Sequence, residues 1–256
     1  MQSIIEPNPW LVTQRRPNAR LRLYCFSYAG GSANVYLPWK NLLDGSIELC
    51  AVQLPGRGAR LNEMPVPSLQ KLVADIAAVI SNETRLPFAF FGHSLGGLLA
   101  FELTRYCKHH LLPSPGHLIV SGCSAPQMRD ATQRMHLLPD EEFIEELRKY
   151  NGTPPEILAH RELMQLVLPA LRADFAAVET YQYKRLPPFD IPITVFAGRN
   201  DNHVSEEKAL GWELETRGPC EVHWFDGDHF FLHEQMGSVL ETINSTLSLE
   251  QSSLML

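Results

Sequence analysis

Six short runs of apolar, β-branched and aromatic residues recur along the chain and constrain its fold more than any other feature. They are LRLYCF (21–26), IELCAVQ (47–53), FAFFG (88–92), HLIVSG (117–122), ITVFAG (193–198) and EVHWF (221–225). Runs that are neither alternating nor long suit strands buried on both faces of a mostly parallel sheet. Between the second and third runs, Leu69, Leu72, Val73, Ile76 and Ile80 recur at helical spacing, with Ser68 placed to cap the first turn. A second helix is expected from just after Ser94 through LLAFELTRYCK. This alternation predicts an α/β fold: a three-layer sandwich of helices on both faces of one sheet.

One stretch breaks the pattern. From about Arg129 to Arg185 no run reads as a strand, while two segments read as helices. PDEEFIEELRKYNG carries acids in its first turn, cations in its last, and a stop at Asn151-Gly152. RELMQLVLPALRADFAAVETYQYK is apolar on more than one face and holds Pro169 inside, where a break or kink is expected. The chain is therefore expected to be a single domain, 1–256, with a helical lid inserted at about 129–185. An extra packing layer is the alternative.

Composition removes several classes. Hydrophobic residues make up 45% and charged residues 20% of the chain, as in a folded globular protein. The net charge of −7 argues against nucleic acid or an anionic membrane surface as partner. The five cysteines form no C-x-x-C pair, which suits the reduced thiols of a cytoplasmic protein. The N-terminal residues do not read as a signal peptide, and no run of about 18 apolar residues occurs. The sequons at Asn82, Asn151 and Asn244 are read as chance matches. No nucleotide-binding or zinc signature is present, so neither a cofactor nor a metal is expected, and a monomer is.

Gly92-His93-Ser94-Leu95-Gly96 fits G-x-S-x-G between an expected strand and an expected helix. That context makes Ser94 a nucleophile on a sharp turn, with the Leu95 amide beside it as an oxyanion donor. A serine hydroxyl needs a base, and the base an orienting acid; in this arrangement they follow in the order Ser, acid, His. Asp201 and His229 lie just past the ends of the fifth and sixth runs, where a site belongs. Asp226 and Asp228 share a loop with His229 and are expected to shape it. His203 falls out of chain order, His93 is expected beneath the turn, and His223 and His233 are read as structural. The loop Ser27-Tyr28-Ala29-Gly30-Gly31 after the first run supplies the second oxyanion donor, Ala29. Leu54-Pro55-Gly56-Arg57-Gly58-Ala59-Arg60 presents two guanidinium groups beside the cleft, or is simply a solvated loop.

YAGGSA, LPGRGAR, GHSLGG and GDHFFL, in that order and spacing, resemble the type II thioesterases. These are stand-alone α/β-hydrolases that accompany nonribosomal peptide and polyketide synthases, similar to the medium-chain thioesterase of animal fatty acid synthesis. The resemblance runs from about Leu21 to Leu240. It implies hydrolysis of acyl, aminoacyl or peptidyl groups from the phosphopantetheine arm of a carrier protein, in editing or release. It carries the triad onto Ser94, Asp201 and His229 and the oxyanion hole onto Ala29 and Leu95. Where the family usually has Pro-His before AGGSA, this chain has Ser27-Tyr28, so Tyr28 is a candidate substrate contact. Carrier proteins are generally acidic, and Arg57 and Arg60 are the expected docking cations.

Two other readings remain at this stage. One is a carboxylesterase or lipase acting on small oxygen esters, although the H-G-G-G loop of many esterases is absent. The other is a non-catalytic carrier-binding protein on the same fold, which has no need of a complete triad.

Overall fold

All six runs form strands, and a seventh strand precedes them. The computed structural model describes residues 8–83, 86–129, 132, 134–150, 152 and 155–253. The strands are β1 (Leu11–Gln14), β2 (Leu21–Phe26), β3 (Ile47–Val52), β4 (Phe88–His93), β5 (His117–Ser121), β6 (Ile193–Gly198) and β7 (Cys220–Phe225). They make one sheet in the order β1-β3-β2-β4-β5-β6-β7. β1 runs antiparallel to β3 and every other pairing is parallel. β1 escapes the sequence reading because it is four residues long and only half-buried. An edge strand needs no continuous apolar run.

The helices are α1 (Leu69–Glu83), α2 (Leu95–His109), α3 (Asp140–Tyr150), α4 (Pro155–Ala159), α5 (Arg161–Glu179), α6 (Glu206–Leu210), α7 (Phe231–Glu234) and α8 (Met236–Ser253). Successive strand residues point to opposite faces, and this divides the core. Tyr24, Phe26, Phe90 and Val120 pack with Ile76 of α1 and Leu98 of α2. Leu23, Cys25, Phe91 and Ile119 pack on the other face with Val239 and Ile243 of α8. Each such buried apolar side chain contributes about 1.5–3 kcal/mol relative to exposure. The Ser68 hydroxyl accepts from the Lys71 amide at 3.3 Å, capping α1 as expected.

The helical block lies between β5 and β6 and has its own apolar cluster, including Phe143, Leu147, Leu158, Met164, Leu168 and Phe175. The break expected at Pro169 does not occur: α5 runs from Arg161 to Glu179 with the proline inside. Burial of Leu168, Ala170 and Leu171 on either side of it holds the helix together where one hydrogen bond is missing. Asn151 of the expected helix stop, Thr84 of one sequon and the first seven residues lie outside the described residues.

The five cysteines are free thiols. Burial pushes every one of them up: Cys50 to about 12, Cys107 and Cys220 to about 11, and Cys25 and Cys123 in the same direction. Held protonated, they behave as small hydrophobes rather than nucleophiles. No helix among the described residues is long and apolar enough to cross a membrane.

Candidate active site

Ser94 joins β4 to α2 with φ 55° and ψ −115°, a conformation rare for a residue with a side chain. Close approaches at three glycines, two of them to backbone oxygens, impose it. A Cβ on Gly92 would lie 2.0 Å from the Gly96 oxygen, and one on Gly96 would lie 2.0 Å from the Phe26 oxygen. A Cβ on Gly97 would meet Cys123 Cβ at 2.9 Å. The Ser94 amide donates to the Ser121 carbonyl at 2.8 Å, so the turn is tied to the next strand.

Asp201 and His229 meet as expected. His229 Nδ1 lies 2.7 Å from Asp201 Oδ2, with side-chain exposures of 7% and 0%. Asp201 Oδ1 accepts from the amides of His203 at 2.8 Å and Val204 at 3.3 Å. Burial alone would raise this carboxyl, but the hydrogen bond and charge of His229 and the His203 amide outweigh it and hold it below its usual range. Asp228 Oδ1 accepts from the Phe230 amide at 2.8 Å and so shapes the loop, while Asp226 pairs with Arg199 in solvent.

Ser94 and His229 line one cavity of about 220 Å³ together with Ala29 and Leu95. Among the described residues the Ser94 hydroxyl makes no hydrogen bond to His229, and the Ala29 and Leu95 amides meet no acceptor. Such contacts are often long before substrate binds. The helical block supplies the opposite wall with Leu147, Tyr150, Leu171, Phe175 and Val178. Tyr150 stacks on His203 with ring centroids 4.1 Å apart, which ties α3 to the Asp201 loop.

His93 is fully buried, with Nδ1 2.9 Å from the Ser121 hydroxyl. Burial first, then the nearby charges of His229 and His233, hold its imidazole well below the usual range. Tyr28 stands at the cavity rim, its hydroxyl 3.0 Å from His233 Nε2 and its ring edge-on to His93 and Phe230. His233 thus gains a definite partner that its sequence position did not reveal.

The docking expectation for Arg57 and Arg60 is corrected. Both are buried, at 6% and 7% exposure. Arg57 forms a two-point ion pair with Asp174 of α5. Arg60 pairs with Glu63, donates to the Gln53 carbonyl at 3.0 Å and lies 3.9 Å over the Trp10 ring. Both guanidinium groups are buried and their charges are already matched by carboxylates of this chain, which leaves them ill placed to meet an acidic partner. The sequence reading missed Asp174 itself. Its signal was an acid three residues after Leu171 and four before Val178, on an apolar stripe; a buried acid there demands a cation.

A serine elbow at the C-terminal end of a central parallel strand, in a sheet of this order, defines an α/β-hydrolase. A family model described as a thioesterase domain matches residues 21–247. The chain belongs to that family and is a thioester hydrolase. It is 44% identical over 250 residues to the gramicidin S biosynthesis protein GrsT of Aneurinibacillus migulanus, covering 97% of this chain and 98% of that one. The type II thioesterase BorB from the borrelidin biosynthetic cluster superposes with a TM-score of 0.85 at 36% identity, over 93% of this chain and 97% of BorB. ClbQ from the colibactin NRPS/PKS pathway superposes with a TM-score of 0.86 at 34% identity, over 91% of this chain and all of ClbQ (100%).

Proposed function

We propose that this thioesterase hydrolyses acyl, aminoacyl or peptidyl groups from the phosphopantetheine arm of carrier-protein domains in nonribosomal peptide or polyketide synthesis. The observation that carries the reading is that Ser94, on its strained turn, and His229, held from behind by Asp201, line one cavity. Its likeness to GrsT, BorB and ClbQ supports the choice of pathway.

Ser94 Oγ attacks the thioester carbonyl carbon while His229 Nε2 takes its proton and Asp201 holds Nδ1–H. The oxyanion is stabilised by the Ala29 and Leu95 amides. Collapse breaks the C–S bond, and His229 returns the proton to the departing thiolate. Water, deprotonated by His229, then attacks the acyl-Ser94 ester and releases a carboxylic acid and free serine. Residues of the helical block act as a lid over the acyl group, with Tyr28 at its mouth. The phosphopantetheine belongs to the substrate, and the reaction needs no bound cofactor or metal. The five unpaired thiols support action in the cytoplasm, and a monomer is proposed with it.

The test compares initial rates for one acyl group on a phosphopantetheinylated carrier protein, on free pantetheine and as an oxygen ester, with Ser94→Ala as blank. The carrier-bound thioester should have the highest kcat/KM and Ser94→Ala none. A faster oxygen ester would make the protein an ordinary esterase.

A further inference from the structure

We infer that Asp174 and Arg57 are positioning residues for the oxyanion hole, an inference that rests on the role proposed above for Ala29. Asp174 sits on α5 with 1% of its side chain exposed, facing Arg57 at 7%. Arg57 Nη2 donates to Oδ1 at 2.8 Å and Nη1 to Oδ2. Asp174 Oδ2 also accepts the Gly30 amide at 2.7 Å. A buried ion pair gains little stability over apolar side chains of the same volume, so its presence calls for another explanation. The Gly30 hydrogen bond supplies one.

The Gly30 N–H and the Ala29 carbonyl belong to a single rigid peptide plane. Anchoring that N–H to a carboxylate fixes the plane, and so restricts the φ and ψ of Ala29 and the direction in which its own N–H points. The anchor is charge-assisted and directional. Gly30 has φ 77°, and a Cβ there would lie 2.5 Å from Leu171 Cδ2, so α5 also presses on the loop from above.

The far end of the loop is held by the same network. The Ala33 amide donates to Gln53 Oε1 at 3.1 Å, and Gln53 Nε2 donates to the Arg57 carbonyl at 2.9 Å. Arg57 is itself steadied by Nε donating to the Pro55 carbonyl at 3.3 Å. The oxyanion loop is therefore set by α5 and by the loop after β3, both remote in sequence. Neither Asp174 nor Arg57 is among the residues lining the cavity.

Two variants test this in the full-length enzyme. Asp174→Asn unbalances the pair, and the paired Arg57→Met, Asp174→Leu change fills the space with apolar groups while removing the Gly30 acceptor. Both should lose about 10–100-fold in kcat with KM within about twofold, the signature of a displaced transition-state contact. The Ki of a trifluoromethyl ketone, whose adduct on Ser94 places an oxyanion in the hole, should rise in parallel. A folded paired variant with wild-type kcat and Ki would make the ion pair purely structural and overturn the inference. Ser94→Ala separates the two readings: residual wild-type rate there defeats the proposed site itself, whereas its inactivity leaves that site standing whatever the paired variant does. Should neither variant fold, amide exchange in the wild-type enzyme decides. The Gly30 N–H should exchange at least about a hundredfold more slowly than an unstructured amide, and unprotected exchange refutes the anchor.

Discussion

His229 Nδ1 and Asp201 Oδ2 are 2.7 Å apart, and the second oxygen of the same carboxylate is taken by two backbone amides. The acid therefore has one free direction, and it points at the imidazole. Asp201→Asn should leave the loop in place but offer the wrong group to Nδ1–H, lowering kcat by about 10³–10⁴-fold. Because the folded carboxyl sits below its usual range, it adds stability above the unfolded value of about 3.9 that is lost as pH falls through the folded value. Melting curves of wild type and variant should therefore begin to converge as pH falls below about 4.

The glycines of the elbow give a sharper structural test. Gly96→Ala would bring a methyl group to 2.0 Å from the Phe26 carbonyl oxygen, which is backbone and has nowhere to go. We expect about 3 kcal/mol or more of destabilisation, with loss of activity. Gly237 of α8 has nothing within 4 Å, and Gly237→Ala should gain about 0.5–1 kcal/mol. Thermal melts that rank the two variants the other way would contradict the packing described.

Three histidines, of which His93 is fully buried, His203 partly buried and His233 exposed, make stability pH-dependent. His93, His203 and His233 are all held below the usual imidazole value, each chiefly by burial. Below about pH 6.5 the unfolded chain binds protons that the native state refuses, so stability falls as pH drops and is flat above that point. The fully buried His93 adds a slope of up to about 1.4 kcal/mol per pH unit, and solvent screening leaves His203 and His233 with less. Tm measured from pH 8 to pH 5 should fall in the wild type and fall less steeply in His93→Phe.

Val178 lines the cavity from α5 and is only partly buried, so its side chain borders space that substrate can use. Val178→Phe should cut kcat/KM for a long acyl thioester by about tenfold or more while sparing an acetyl thioester. Equal losses on both would place the acyl group elsewhere.

Much of this was legible before the fold was known, because the signals are local. Strands buried on both faces write continuous apolar runs, and a serine elbow writes its glycines within five residues. Asp201 and His229 follow from where strands end. What escaped depends on contacts between distant segments: β1 is recognisable only by its pairing with β3. Arg57 read as a docking cation because its partner, which takes up its charge, lies 117 residues away on α5. Pro169 read as a break or kink, and of these the break is absent because the burial that keeps the helix continuous comes from the packed helical block.

The separate apolar cluster of the helical block has a consequence for how such enzymes can diversify. A segment that carries its own core can be exchanged between relatives as a cassette, altering the acyl wall while the elbow and its glycines stay untouched. Asp174 travels with that cassette and Arg57 does not. A chimaera that moves one without the other would bury an unmatched charge directly behind the oxyanion loop. Positions 57 and 174 are thus a compatibility key, and grafts should succeed where both parents present the same pair.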